Sequence, residues 1–275
     1  MIRTVKPTTS GQRGISYEDR HIITVSKPNK KLTSHKKRIS GRDEFGRISI
    51  RHRGGGAKRQ YRLVDFSSGN IGQSATVETI EYDPNRNARI ALIRYNNDEK
   101  RYIVAPQKID VGQNISFDDK TRISVGNRCL LEHIPTGVSI HNIELTPSSK
   151  AKIVRSAGTQ GLILSKDELY AHIKLPSGEV RKFNLACRAS IGQVSNIEHK
   201  TITVGKAGRM RHMGKRPTVR GKVMSTRSHP HGGGEASNSI GLKYPKTPWG
   251  KHALGVRTRD KHKPSSILIV KRRSL

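Results

Sequence analysis

The chain has 275 residues and a formal net charge of +32, from 53 Lys and Arg against 21 Asp and Glu. Self-repulsion on that scale opposes a compact state unless a polyanion neutralises it, so nucleic acid is the first partner class and an anionic membrane surface the second. Residues are only 32% hydrophobic and 4% aromatic, no apolar run nears the roughly 20 residues of a bilayer span, and the leading MIRTVKPTTSGQRG lacks an apolar stretch, so neither a spanning nor an exported protein is expected.

Cys129 and Cys187 are too far apart for a CxxC site and too few for a disulfide framework, which suits a reducing compartment. Net charge is +13 over residues 1–62, +3 over 63–200 and +16 over 201–275. The near-neutral centre is expected to fold alone. The flanking arms, rich in Gly, Pro, Ser and basic residues, bury too little apolar surface to offset backbone entropy. They are expected to order inside folded RNA; a pair of solvated tails is the alternative.

In the first arm, RHRGGGAKRQYR (51–62) sets Arg51, Arg53, Lys58, Arg59 and Arg62 around Gly54, Gly55 and Gly56, with His52 and Tyr61 interleaved. Glycines let backbone N–H groups approach phosphates, arginine forks phosphate oxygens, and tyrosine can stack on a base. A flexible basic loop is the alternative. The GxxxxGK[ST] spacing of a nucleotide-binding P-loop is absent.

Strand-like runs follow: YRLVDF (61–66), ATVETIEY (75–82), ARIALIRY (88–95) and KRYIVA (100–105), with turn chemistry in DPNRN (83–87) and NND (96–98). Ile90 and Leu92 fall on one face of their strand and Ala91, Ile93 and Tyr95 on the other, so burial on both sides is expected. VGN (125–127) is a plausible seam. Beyond it, NRCLLEHI (127–134), SIHNIEL (139–145), AKIVRSA (151–157), GLILS (161–165), YAHIKL (170–175) and EVRKFNL (179–185) read as strands, with PSG (176–178) as a hairpin turn. IGQVSNIE (191–198) is expected to form a short helix. Many short strands at near-regular spacing predict a mainly β chain built on two small β-barrels.

The second arm repeats the basic, Gly-rich chemistry. GKAGRMRHMGKRPTVRGKVM (205–224) carries Lys206, Arg209, Arg211, His212, Lys215, Arg216, Arg220 and Lys222, and Pro217 blocks a continuous helix. An extended segment along RNA backbone is expected, with a disordered tail as the alternative. SHPHGGGEAS (228–237) then offers His229 and His231, followed by Gly232, Gly233, Gly234 and Glu235. Two histidines do not complete a metal set. Ser228, His229 and Glu235 in sequence do not make a triad. A stiffened Gly-rich RNA-contact loop is the expectation. YPKTPWG (244–250) holds the sole tryptophan, Trp249, as a packing anchor against the second barrel or as a base stack. ILIVKRRSL (267–275) is expected to dock as an extended segment.

Taken in order, GRISIRHRGGGAKRQYR, EYDPNRNARIALI, KRYIVAP, IHNIEL, RSAG, LPSGEVR, GKRPTVRG, HPHGGGE and TPWG resemble the universal large-subunit ribosomal protein number two family in its bacterial and organellar form, from about residue 40 onward. The resemblance implies a basic extension over 1–40, an oligonucleotide-binding-type barrel over 41–124, an SH3-like barrel over 125–200, and a basic extension over 201–275 that threads rRNA. It places Arg86 and Arg155, within the matching motifs, among the RNA contacts. It further implies a primary rRNA binder near the peptidyl transferase centre that supports subunit association. The partners would be large-subunit rRNA, small-subunit rRNA at an inter-subunit contact and neighbouring ribosomal proteins, with no membrane and no homo-oligomer. The location would be the ribosome, cytoplasmic in a bacterium or within an organelle. No cofactor is expected, and any structural Mg²⁺ would be held mainly by rRNA.

A catalytic role has been attached to the histidine at the place of His229. Here the family's NPVDHPHGGGEG reads STRSHPHGGGEAS, so Ser228 replaces the acid that could orient that ring. RNA structure and tRNA placement are therefore expected of His229, rather than chemistry. GKGGQLARSAGT likewise reads SSKAKIVRSAGT, and residues 1–40 match loosely. The competing functions are an acyl-transfer enzyme acting through His229 and a free basic nucleic-acid or membrane-surface module.

Overall fold

β-Branched and aromatic runs interrupted by turn formers yield fifteen short strands in a computed structural model that describes residues 2–67, 71–235, 238–260 and 262–273. The chain divides into two units: Met1–Lys37, Lys58–Lys206 and Ile267–Leu275 form one, and Arg38–Ala57 with Ala207–Ser266 the other.

In the first unit, β1 (Ile2–Thr4) pairs with β2 (Ser16–Glu18), and β3 (Thr33–His35) with β4 (Gln60–Arg62). A four-stranded antiparallel sheet follows, from β5 (Gln73–Glu81), β6 (Ile90–Tyr95), β7 (Lys100–Val104) and β8 (Asn114–Phe117), in the order β7-β6-β5-β8. The larger sheet contains β9 (Arg128–Leu130), β10 (Ser139–His141), β11 (Gly161–Lys166), β12 (Tyr170–Lys174), β13 (Val180–Asn184), β14 (Arg188–Ile191) and β15 (Ile269–Lys271). Its order is β15-β13-β12-β11-β10-β14-β9, again antiparallel. This mostly β architecture of small antiparallel sheets agrees with the expected pair of small barrels.

The double-sided burial of β6 is met. Ala91, Ile93 and Tyr95 enter one core with Val77 and Ile115, while Ile90 and Leu92 pack with Tyr102 beneath Leu32 and Val64. Tyr102 donates to Glu81 Oε2 at 2.8 Å and accepts the Asn29 N–H at 2.9 Å, so its buried hydroxyl is satisfied. The larger sheet closes on Leu131, Ile140, Ile163, Ile173 and Phe183, among others. Cys129 and Cys187 are free and fully buried in that core, and burial pushes the Cys187 thiol up to about 11, away from the thiolate that reactivity needs.

Val104 of β7 packs with Ala88, Ala157 and Val194 in a further apolar group. At the predicted seam, Asn127 accepts the Ser116 N–H through Oδ1 (3.0 Å) and donates to the Arg122 carbonyl through Nδ2 (2.9 Å). The seam is therefore tied to the last strand of the smaller sheet. PSG turns between β12 and β13, where Leu175 N–H donates to Glu179 O at 2.8 Å.

Two expected elements differ. Residues 151–157 form no strand: Ile153 makes a lone bridge to Ile143, and Val154 stands at φ 55°, a conformation no strand accepts. Residues 191–196 form no helix. β14 ends at Ile191, Val194 bridges Pro106, and left-handed Asn196 (φ 62°) confines helical geometry to the 3₁₀ turn Ile197–Thr201. The C-terminal run docks as foreseen, since Ile269–Lys271 pairs with β13; Ser274 and Leu275 lie outside the described residues.

The second unit contains the helix α1 (Ala207–His212) among turns and isolated bridges. The expected extended course of 205–224 is thus interrupted by six helical residues, well before Pro217. Among its described residues His229 is the one buried side chain. A unit with so little core cannot draw its order from hydrophobic burial.

Candidate RNA interface

The two Gly-rich basic segments are zipped together. Gly54 N–H donates to Gly214 O at 3.0 Å, Ala57 N–H to His212 O at 2.8 Å, and Arg216 N–H to His52 O at 3.1 Å. His52 Nδ1 donates to Pro217 O at 2.9 Å, and Arg53 bridges Lys215. Segments more than 150 residues apart in sequence thus present Arg51, Arg53, His212, Lys215 and Arg216 as exposed cations and polar groups on one backbone frame. Arg211 Nη1 is buried without a hydrogen-bond partner among the described residues, and a Cβ on Gly55 would stand 3.8 Å from its Nη2. A phosphate oxygen is the chemistry that would satisfy such a donor.

The histidine loop is built inward. His229 is 8% exposed, and its Nδ1 accepts the His231 N–H at 3.0 Å. His231 Nε2 in turn accepts the Lys246 N–H at 2.8 Å, and the two rings lie 4.7 Å apart. Each ring therefore spends an acceptor lone pair on the chain's own backbone. Among the described residues no carboxylate hydrogen-bonds to His229. Gly232 packs against the chain itself: a Cβ there would meet Ser225 O at 2.3 Å and Met224 O at 2.5 Å. Gly233 likewise lies over Thr226, while Gly234 has backbone room. The structure thus places His229 inside and Gly232 half-buried, while Gly233 is exposed; Ala236 and Ser237 of the same motif lie outside the described residues.

Trp249 is 77% exposed, and the Arg51 guanidinium carbon stands 5.4 Å over its ring. Arg220 is exposed; Arg209 and Lys222 are half-buried.

In the first unit the structure assembles a second cluster that sequence spacing did not reveal. Arg86 lies 5.6 Å over the Tyr61 ring and 5.5 Å over Phe66, and Arg155 lies 4.4 Å over Phe66. Asp83 ion-pairs with Arg86 and fixes it. Tyr61, Phe66, Arg86 and Arg155 line a cleft of about 720 Å³ with Asn85, Lys152 and Pro176. Phe66 and Lys152 were missed: Phe66 reads as strand core in YRLVDF, and only the fold turns it toward the two arginines. Lys58 and Lys206 are exposed, and Arg59 Nη1 donates to Pro84 O at 3.0 Å. Arg62 is the exception, 8% exposed and donating to Gln60 O at 3.0 Å. Its side chain is turned inside on β4. Among the described residues no group of three or more His, Cys, Asp or Glu is placed to hold a metal ion, and no helix is long and apolar enough to cross a membrane.

Residues 29–117 match the family model for Ribosomal Proteins L2, RNA binding N-terminal domain, and residues 124–250 match that for Ribosomal Proteins L2, C-terminal domain. The chain belongs to the ribosomal protein L2 family. It is a structural, RNA-binding protein of the large ribosomal subunit, and its place is the ribosome. The first L2 match ends on the last residue of β8, and the second begins at residue 124, just before Asn127. Between them the matches cover both zipped segments, the histidine loop and Trp249.

Proposed function

We propose that this L2-family chain is a primary rRNA binder that supports subunit association, tRNA placement and the architecture of the peptidyl transferase centre without being the catalyst. The observation that carries it is the second unit: two basic Gly-rich segments locked to each other, almost no core, and an orphan Arg211 donor. Such a unit gains its stability from a polyanion that neutralises it. The Arg86–Arg155 cleft supplies a second contact, with planar cations and aromatic rings suited to backbone phosphate and unstacked bases. Its partners are large-subunit rRNA, small-subunit rRNA at an inter-subunit contact, and neighbouring ribosomal proteins, in bacterial cytoplasm or an organelle. Mg²⁺ would be held by the RNA.

Non-catalysis rests on His229. Its ring is buried and committed to the His231 N–H, and Ser228 stands beside it where an acid is usual. Particles assembled with His229→Ala should form peptide bonds at the normal rate once assembly is complete; loss of the chemical step in fully assembled particles would reverse that assignment. Sedimentation with large subunits at moderate salt tests the binding role. A chain that stays at the top of the gradient would be a free basic module.

A further inference from the structure

We propose that Trp249 is a stacking site for one unpaired nucleobase, with Arg51 closing the opposite ring face. The inference rests on the RNA-binding reading above and narrows it to one ligand group at one side chain.

The turn that carries the indole is held from several directions. Thr247 N–H donates to Lys251 O at 2.7 Å and Gly250 N–H to Thr247 O at 2.9 Å. Lys251 N–H reaches Thr247 Oγ1 at 3.1 Å, and Lys246 bridges His252. The same turn is bonded to the histidine loop through the Lys246 N–H and His231 Nε2. Trp249 is thus a large flat ring carried on a pinned turn, with 77% of its surface in solvent. The histidine loop has a defined role in this frame: it fixes the base of the turn.

Arg51 selects the ligand. A guanidinium over one face satisfies that face by cation–π attraction and leaves the other open. A neutral planar ring stacks there, and its phosphate meets the positive field of Arg51, Lys246 and Lys251. A nucleotide has both parts. A lipid surface is the competing occupant: Thr247, Pro248 and Lys251 flank the tryptophan in sequence, while Leu254 further along is 69% exposed.

Trp249 is the chain's one tryptophan, so its emission reports this site alone. The full chain is titrated with fluorescently labelled short oligoribonucleotides and with abasic oligomers of equal length, following probe anisotropy for binding and tryptophan emission for stacking. Base-bearing oligomers are expected to quench Trp249, and abasic ones to bind through phosphates without that quench. Trp249→Ala should weaken base-bearing oligomers on the order of tenfold and leave abasic ones unchanged, while Trp249→Phe should retain most of the affinity. Binding by anisotropy with no emission change, or with equal changes for both oligomers, overturns the stacking site and leaves RNA binding standing. No anisotropy change at all defeats both readings. A blue shift on anionic phosphatidylglycerol vesicles without any response to RNA would assign the ring to a membrane surface instead.

Discussion

Gly56 lies against Gly214 more closely than any side chain allows: a Cβ on Gly56 would stand 2.9 Å from the Gly214 nitrogen and 3.0 Å from its Cα. The third neighbour, His212 O at 3.1 Å, is backbone too, so no flexible group can move aside. Gly56→Ala should separate the two basic segments at a cost of about 1–3 kcal/mol. Faster hydrogen exchange at the Gly54 and Ala57 amides, with weaker rRNA binding, would register it. Gly208→Ala is the control. It meets nothing within 4 Å on α1 and should leave binding unchanged or slightly improved.

Gly221 holds His229 by the same kind of contact, since a Cβ there would come within 2.6 Å of the imidazole Cε1. Gly221→Ala should expel the ring, break its bond to His231 and slow incorporation into large subunits. His229→Ala empties that space, so the double variant should incorporate better than Gly221→Ala alone. Equal defects in the single and double variants would show that the ring is not what the methyl displaces.

Phosphate contact has a salt signature. Replacing Arg51, Arg53, Lys215 and Arg216 by Gln removes four cations from the zipped frame. The slope of log affinity against log salt should flatten by about 3–4 if all four meet phosphates. The same number of substitutions at Arg94, Lys100, Arg181 and Lys182, on strands of the first unit, should change it less. Equal flattening would mean that binding follows net charge rather than this frame.

Why the frame was not legible in the sequence follows from Gly56 and Gly214 themselves. Both segments show their basic, Gly-rich composition in the sequence itself. Their pairing depends on a backbone contact between residues 158 positions apart, and no local pattern encodes it. The first unit was easier because its signals are local: β-branched runs, turn dipeptides, and the doubly apolar pattern of Ile90–Tyr95. Where local signals conflicted with tertiary context, context won. Residues 151–157 have strand composition, yet Ala151 N–H docks on Phe66 O and Val154 turns left-handed. Arg62 and His229 were read outward from residue type, because burial of a polar group depends on partners that lie elsewhere.

Arg128 and Glu144 form an ion pair inside the larger sheet, 2.8 Å apart and essentially without solvent. Arg128 also donates to Asn142 O at 2.8 Å, and Glu144 Oε2 accepts the Arg188 N–H at 3.1 Å. Burial pulls the Arg128 guanidinium down, and Glu144 opposes that by charge and hydrogen bond. Removing one partner leaves the other charge buried without its counter-charge, so Arg128→Met or Glu144→Leu should each cost about 3–5 kcal/mol by urea unfolding. The pair of substitutions together should cost clearly less than the two separate losses combined. Strict additivity would mean the two charges do not stabilise each other.

His141 sets an acid limit on the same sheet. It is 1% exposed, and its Nδ1 donates to Gly192 O at 2.9 Å. Burial pushes its pKa from 6.5 down to about 4, against the opposing effect of its backbone carbonyl partners. Between those values the unfolded chain binds a proton that the folded chain refuses, so acid favours unfolding. The stabilising contribution is full above pH 6.5 and is lost as pH falls towards 4, at about 1.4 kcal/mol per unit and roughly 3 kcal/mol in all. Glu18 and Asp65, held below their ordinary 4.5 and 3.8, lose their contributions only at the acid end of this range and below it. Burial raises each of these carboxyls, and hydrogen bonds from His199 and Ser67 together with the charges of Arg89 and Arg101 outweigh it. A His141→Leu chain removes the titration and leaves those carboxylates in place. Unfolding free energies of the two chains, measured from pH 7 to pH 4.5, should therefore converge as the pH falls, because only the chain with the imidazole loses stability through that group. Parallel profiles would mean that His141 takes its proton equally well in both states, and that burial does not exclude it.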